Sequence, residues 1–200
     1  MGRSSQSKAK ENRAQIVHTA SRMFREAGVE GVSVAQIMAA NGMTVGGFYK
    51  HFDSKDALIV EAFGMAFEDS LKAWGEVYDR ADEADQDRAA TLVRQYLRNS
   101  SASNRCPLLA FAPSVATGEV DQVGAQAYET GSKILLDKFM EERVGEHPDF
   151  AQPTEAAKEA LVIFAAMVGA RLLAQSVGQN SWIKAMEAAV SEAASKGRVK

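Results

Sequence analysis

Apolar side chains recur at three- and four-residue spacing along most of the chain, and no stretch alternates with the two-residue period of a strand. The pattern predicts an all-α protein of about nine helices. Ile16, Val17, Ala20, Met23, Phe24 and Ala27 mark a first amphipathic helix from about Lys8 to Gly28, preceded by polar residues 1–7 that read as a disordered arm. Ser33, with Gln36 three positions on, forms a capping-box signal, and Val34, Ile37 and Met38 give a short second helix its buried face. That helix ends near Asn41-Gly42, where glycine can take the left-handed conformation of a tight turn. Thr44 is the expected N-cap of a third helix that turns Phe48 and Phe52 inward and leaves Val45, Gly46, Tyr49 and Lys50 on other faces. Ser54 opens a fourth helix running through Leu58, Ala62, Met65, Phe67, Leu71 and Trp74 to about Tyr78.

Beyond an acidic linker at 81–87, helices are expected at about 88–99, from Pro107, at 122–144, at 154–177 and at 181–194. Polar loops fall at 100–105 and 145–153. The helix at 154–177 is apolar on nearly all faces, so it needs partners on two sides. A second copy of the chain is the simplest outer partner. Leu161, Phe164, Ala165, Val168 and Leu172, with Trp182, Met186 and Val190 of the last helix, would form the interface. Small residues Ala166, Gly169 and Ala170 permit close approach; the alternative is that both helices only close the monomer core.

With 200 residues and 46% hydrophobic content the chain can bury a sizeable core. The longest uncharged apolar run, 160–170, is shorter than the roughly 18 to 20 residues that span a bilayer, and the N-terminus is polar. A cytoplasmic protein without membrane contact is expected, and a single cysteine excludes an internal disulfide. The net charge of −3 conceals a division. Residues 1–55 carry eight basic against four acidic groups, a surplus of +4, so the remainder carries −7. A basic head on an acidic body puts any phosphate-binding surface at the N-terminus.

His18, His51 and His147 show no metal-ligand spacing among themselves or with Cys106, and no phosphate loop or dinucleotide fingerprint occurs. No cofactor, metal or catalysis is expected. The two short helices joined at Asn41-Gly42 instead follow the grammar of a helix-turn-helix, whose second helix can enter a DNA major groove.

Residues 28–58, above all Asn-Gly-Met-Thr-Val-Gly-Gly-Phe-Tyr-Lys-His-Phe-Asp-Ser-Lys-Asp-Ala-Leu, resemble the DNA-binding head of TetR/AcrR-type transcriptional regulators. The resemblance covers about the first 60 residues. It implies a three-helix DNA-binding domain at 1–53, and at 54–200 a helical body for effector binding and dimerisation. It further implies a homodimer on a palindromic double-stranded operator, acting as a repressor that a small molecule releases. Ser33, Gln36, Thr44, Val45, Gly46, Gly47, Tyr49, Lys50, His51 and Lys55 are the expected DNA-binding set. Lys50 and Lys55 can meet phosphates as cations, Tyr49 and Thr44 through hydroxyls. Val45-Gly46-Gly47 stands where many relatives carry a long polar or basic side chain. Base readout should therefore depend on Lys50, on methyl contact by Val45 and on DNA shape. Lys8, Lys10 and Arg13 could extend the footprint.

In the body, Trp74, Tyr78, Tyr96, Phe111, Tyr128 and Phe139 are the candidate lining of an effector pocket for an apolar or aromatic ligand. Two other readings stand beside this one. Cys106, before Pro107 at a helix start, could sense oxidants or electrophiles, or the protein could be an architectural DNA-binding or protein-docking dimer without any ligand.

Overall fold

The computed structural model describes residues 2–98, 105–145 and 149–196, with side chains from residue 6. Among these there are ten helices and no strand. They are α1 (Gly2–Ala27), α2 (Val34–Ala40), α3 (Val45–Phe48), α4 (Lys55–Glu83), α5 (Arg88–Arg98), α6 (Pro107–Ala110), α7 (Ala112–Ala116), α8 (Gln122–Val144), α9 (Glu155–Val177) and α10 (Ser181–Lys196). The pattern anticipated close to this number; the extra helix arises because the Pro107 segment divides at Phe111, with Pro113 opening α7.

Side-chain caps explain most helix starts. Ser33, Ser54, Asp87, Asp121, Thr154 and Asn180 each accept a backbone N–H two or three residues into the following helix, at 2.7–3.2 Å. Each such cap contributes about 1 kcal/mol. Two boundaries differ from the sequence pattern. α1 extends back to Gly2, so residues 2–7 are helical. α4 continues to Glu83 because Val77 and Ala81 prolong its buried stripe, and the acidic stretch supplies a short turn in which Asp85 takes a positive φ. The expected loop at 100–105 falls almost wholly outside the described residues, as does part of that at 145–153.

The contacts divide into two compact units, one of Met1–Asp69 with Ser101–Ser132, the other of Ser70–Ser100 with Lys133–Lys200. In the first, α1 packs on α2 and α6, around Ile16, Phe24, Ile37, Met38, Phe48, Leu58, Phe63 and Phe111, all buried. Phe63 and Phe111 stack with centroids 4.0 Å apart. Gly131 lies so near the Phe67 ring that a Cβ there would overlap it.

In the second unit α5, α9 and α10 pack together. α9 buries Ala157, Ala160, Ile163, Met167, Ala170 and Ala174, spaced three or four apart. Its one buried charge, Arg171, donates to the Leu97 carbonyl in the last turn of α5, where the helix dipole favours a cation. The opposite face is apolar yet exposed: Val162 (67%), Leu172, Leu173 and Val177. By length and composition α9 could cross a bilayer, with mean hydropathy 1.8 in its most apolar window, of which a third is buried. The uncharged run at 160–170 understated this, because it stopped at Arg171 and overlooked the apolar residues on either side.

Candidate nucleic-acid interface

The head is built from three local decisions. At the first, Ser33 and Gln36 close a reciprocal box: the Gln36 N–H donates to Ser33 Oγ (3.2 Å) and the Ser33 N–H to Gln36 Oε1 (2.8 Å). Both side chains are exposed at the start of α2. At the second, Asn41 ends α2. Its Nδ2 donates to the Ile37 carbonyl (2.8 Å) and its Oδ1 accepts from Thr19 of α1 (3.0 Å), which ties the turn to the first helix. Gly42 follows with φ +65°, the left-handed geometry foreseen for it. At the third, Phe48 is fully buried, stacked on Phe52 at 5.4 Å and edge-on to Tyr49 at 5.3 Å.

Phe48 anchors α3 and thereby sets what faces out. Tyr49 is 66% exposed and Val45 44%, with Thr44, Gly46 and Lys50 exposed beside them. The Thr44 backbone is extended, as an N-cap requires, but its hydroxyl makes no capping bond and remains available to an external acceptor. Gly47 and His51 are half-buried. The α-helix proper is a single turn, shorter than the pattern suggested; residues 49–51 continue as turns. Two consecutive glycines disfavour the helical state, which accounts for its brevity.

Lys55 behaves differently from Lys50. Its ammonium donates to the Val29 carbonyl at 2.8 Å and fastens α4 to the turn after α1. Arg13, grouped with Lys8 and Lys10 as a possible extension of the footprint, lies inside the head: its guanidinium pairs with Glu61 of α4 and sits 4.1 Å from the centroid of the Phe52 ring. Neither role has a sequence signal, because each partner lies 26 or more residues away.

The aromatic set proposed for an effector divides between the units. Trp74, Tyr78, Tyr96 and Phe139 belong to the second and are buried, Trp74 edge-on to Tyr96 and Phe139 tilted against Phe164. Burial, and then the nearby Glu142 charge, push the Tyr78 hydroxyl far above its ordinary pKa. Phe111 is core of the first unit. Tyr128, in the first unit, lines an open hollow of about 650 Å³, with Val115, Gln122, Ala125, Gln126, Glu129 and Ser132; its hydroxyl donates to the Leu108 carbonyl at 2.8 Å. Cys106 is half-buried at the start of α6.

Of the residues proposed for a dimer face, Ala165, Leu172 and Trp182 are exposed, Leu161, Phe164, Val168 and Met186 half-buried, and Val190 buried in the second unit. Val162, Leu173 and Val177 join the exposed group. Among the described residues no cluster of three His, Cys, Asp or Glu is arranged to hold a metal ion.

Residues 16–62 match the family described as "Bacterial regulatory proteins, tetR family". Two Pseudomonas putida proteins are each 34% identical over 87 residues, 44% of this chain: the HTH-type transcriptional regulator TtgR and the probable HTH-type transcriptional regulator ArpR. The match spans 39% of the length of each relative. Among solved structures, a TetR-family transcriptional regulator from Cytophaga hutchinsonii superposes with a TM-score of 0.73 at 18% identity, covering 96% of this chain and 98% of that one. E. coli NemR, in its reduced form, gives 0.71 at 20% identity, covering 90% and 96%. At such identities these neighbours speak for the fold, from the first helices through the last.

Proposed function

We propose, from the premise that this chain is a TetR-type transcriptional regulator, that it binds a palindromic operator as a homodimer and acts as a cytoplasmic repressor released by a small molecule. The observation that carries the DNA reading is the geometry of α3. Buried Phe48 holds one turn so that Thr44, Val45, Tyr49 and Lys50 face outward together. Thr44, Tyr49 and Lys50 supply hydroxyls and a cation for phosphates, and Lys50 can reach a guanine edge. Ser33 and Gln36 belong to the same surface through the exposed start of α2, and His51 closes it.

The exposed apolar stripe of α9 supports self-association, since an isolated chain would leave Val162, Leu172 and Val177 in water. A two-fold dimer would present two heads to successive half-sites. The hollow beside Tyr128 supports an effector site in the body; its apolar Val115 and Ala125 alternate with Gln122, Gln126 and Glu129, so a ligand with both aromatic and polar parts fits it better than a purely apolar one. A second reading, a thiol switch at Cys106, draws on its half-buried place at the start of α6. Iodoacetamide labelling followed by operator binding checks it.

Selection of bound fragments from genomic DNA by the purified chain tests the main reading. A palindromic site should emerge, and Tyr49→Ala with Lys50→Ala should abolish its enrichment. Equal binding to random DNA with a steep salt dependence would favour an architectural role instead.

A further inference from the structure

The hollow beside Tyr128 is walled by one continuous stretch of chain. Residues 106–132, which include α6, α7 and the first three turns of α8, hold three carboxylates, Glu119, Asp121 and Glu129, and no lysine, arginine or histidine. The positive end of the α8 dipole is already answered, since Asp121 Oδ1 accepts the Gly124 N–H at 2.7 Å. A carboxylate carries a full charge against about half a charge for a helix end, so the field at this wall is negative.

Gln122, Gln126 and Glu129 recur at i, i+4 and i+7 along the side of α8 that lines the hollow. Among the described residues none of these three side chains takes part in a hydrogen bond or ion pair. Lys133, one turn beyond Glu129, is committed to Asp137 at 2.7 Å. Ser132 Oγ, in the same lining, is buried near the Tyr128 hydroxyl without a formed hydrogen bond. Val115 and Ala125 supply the apolar part of the wall.

Such a lining sorts ligands by charge. An anion would meet the Glu129 carboxylate with no cation among the lining residues to offset it. A neutral ligand seated here would strip water from that carboxylate and return nothing of equal strength. A cation replaces the lost water with a charge-assisted hydrogen bond, and the glutamines and the Ser132 hydroxyl remain for neutral polar atoms.

We infer that the hollow takes an organic monocation, a protonated amine carried on a flat apolar body, with Glu129 as its counter-charge. The inference rests on the reading of this hollow as the effector site and adds the charge of its ligand.

Three probes that differ only in the group on one methylene test it with the full-length chain. 1-Naphthylmethylamine is a cation at pH 7, 1-naphthalenemethanol is neutral and 1-naphthylacetic acid is an anion; naphthyl fluorescence anisotropy follows their binding. The amine should bind at least about fivefold more tightly than the alcohol, and the acid most weakly. Glu129→Gln should abolish the preference for the amine, and Glu129→Lys should invert the order so that the acid binds best. An alcohol that matches the amine on wild type, or an amine preference that survives Glu129→Gln, overturns the charge assignment and leaves the hollow as a site. Ala125→Trp fills the hollow: if it leaves probe binding unchanged, or if no probe saturates the wild-type chain, the effector reading of the hollow falls as well.

Discussion

Arg13 of α1 and Glu61 of α4 form an ion pair that joins the first helix of the head to the helix leaving it. Both side chains are about 40% exposed, so the pair itself contributes at most about 1 kcal/mol. The guanidinium also covers the Phe52 ring, adding about 0.5–1 kcal/mol. Arg13→Ala should therefore lower stability by about 1 kcal/mol in urea unfolding, and Glu61→Gln by less than half of that. An Arg13→Ala protein of unchanged stability whose operator binding is less salt-dependent would assign Arg13 to DNA instead.

The two lysines flanking Phe52 should separate by assay. Lys50→Ala removes a fully outward cation and should reduce the slope of log K against log salt by about 1, with little change in stability. Lys55→Ala removes the bond to the Val29 carbonyl, and unfolding should show a loss of about 1.5 kcal/mol. Identical salt slopes for wild type and Lys50→Ala would exclude a phosphate contact.

Gly131→Ala sets helix propensity against packing. The gain is about 1 kcal/mol in the middle of α8, while overpacking against Phe67 carries a penalty of about 1–3 kcal/mol. A net loss of about 1 kcal/mol is expected. Phe67→Leu should absorb the new methyl, so the double variant should be more stable than the sum of the single effects requires.

Glu142 gives stability a pH dependence. Burial alone would raise its pKa, but hydrogen bonds from Lys138 (2.6 Å) and Arg88 (2.8 Å) prevail and hold the carboxyl below its ordinary range. Arg88 also holds the Asp82 carboxyl low through a hydrogen bond. A depressed folded-state pKa stabilises above the unfolded value, about 4.3 for glutamate, and the contribution disappears as pH falls through the folded value. Glu142→Gln should thus be destabilised by about 1–2 kcal/mol at pH 7. The difference from wild type should begin to shrink as pH falls below about 4.3 and disappear as pH falls through the folded value; a constant difference from pH 3 to 7 would refute the linkage.

The exposed stripe of α9 is checked by charge. Val162→Asp lies at a 67% exposed position, so the isolated fold should change by no more than about 0.5 kcal/mol. In light scattering it should convert a dimer to a monomer and greatly weaken palindrome binding. A dimer that survives both Val162→Asp and Leu172→Glu would move the interface elsewhere.

The amino-acid sequence alone determined what depends on near neighbours. Ser33 with Gln36, Thr154 and the helix bounds at 122–144 follow from caps and periodicity within a few residues, and all three were legible. The inward Phe48 and Phe52 and the outward Tyr49 and Lys50 follow in the same way from one helical turn. Tertiary structure decided what depends on distant partners. It sent Arg13 to Glu61 and Lys55 to Val29, it buried Trp74, Tyr78 and Tyr96 among their own helices, and it chose which apolar face of α9 would remain exposed. An all-apolar helix carries no moment that could orient it, so only the shapes of α5 and α10 packed against it could settle that choice. Gly46 belongs to both levels: its place on α3 is read from the chain, while the empty space around it is a property of the fold.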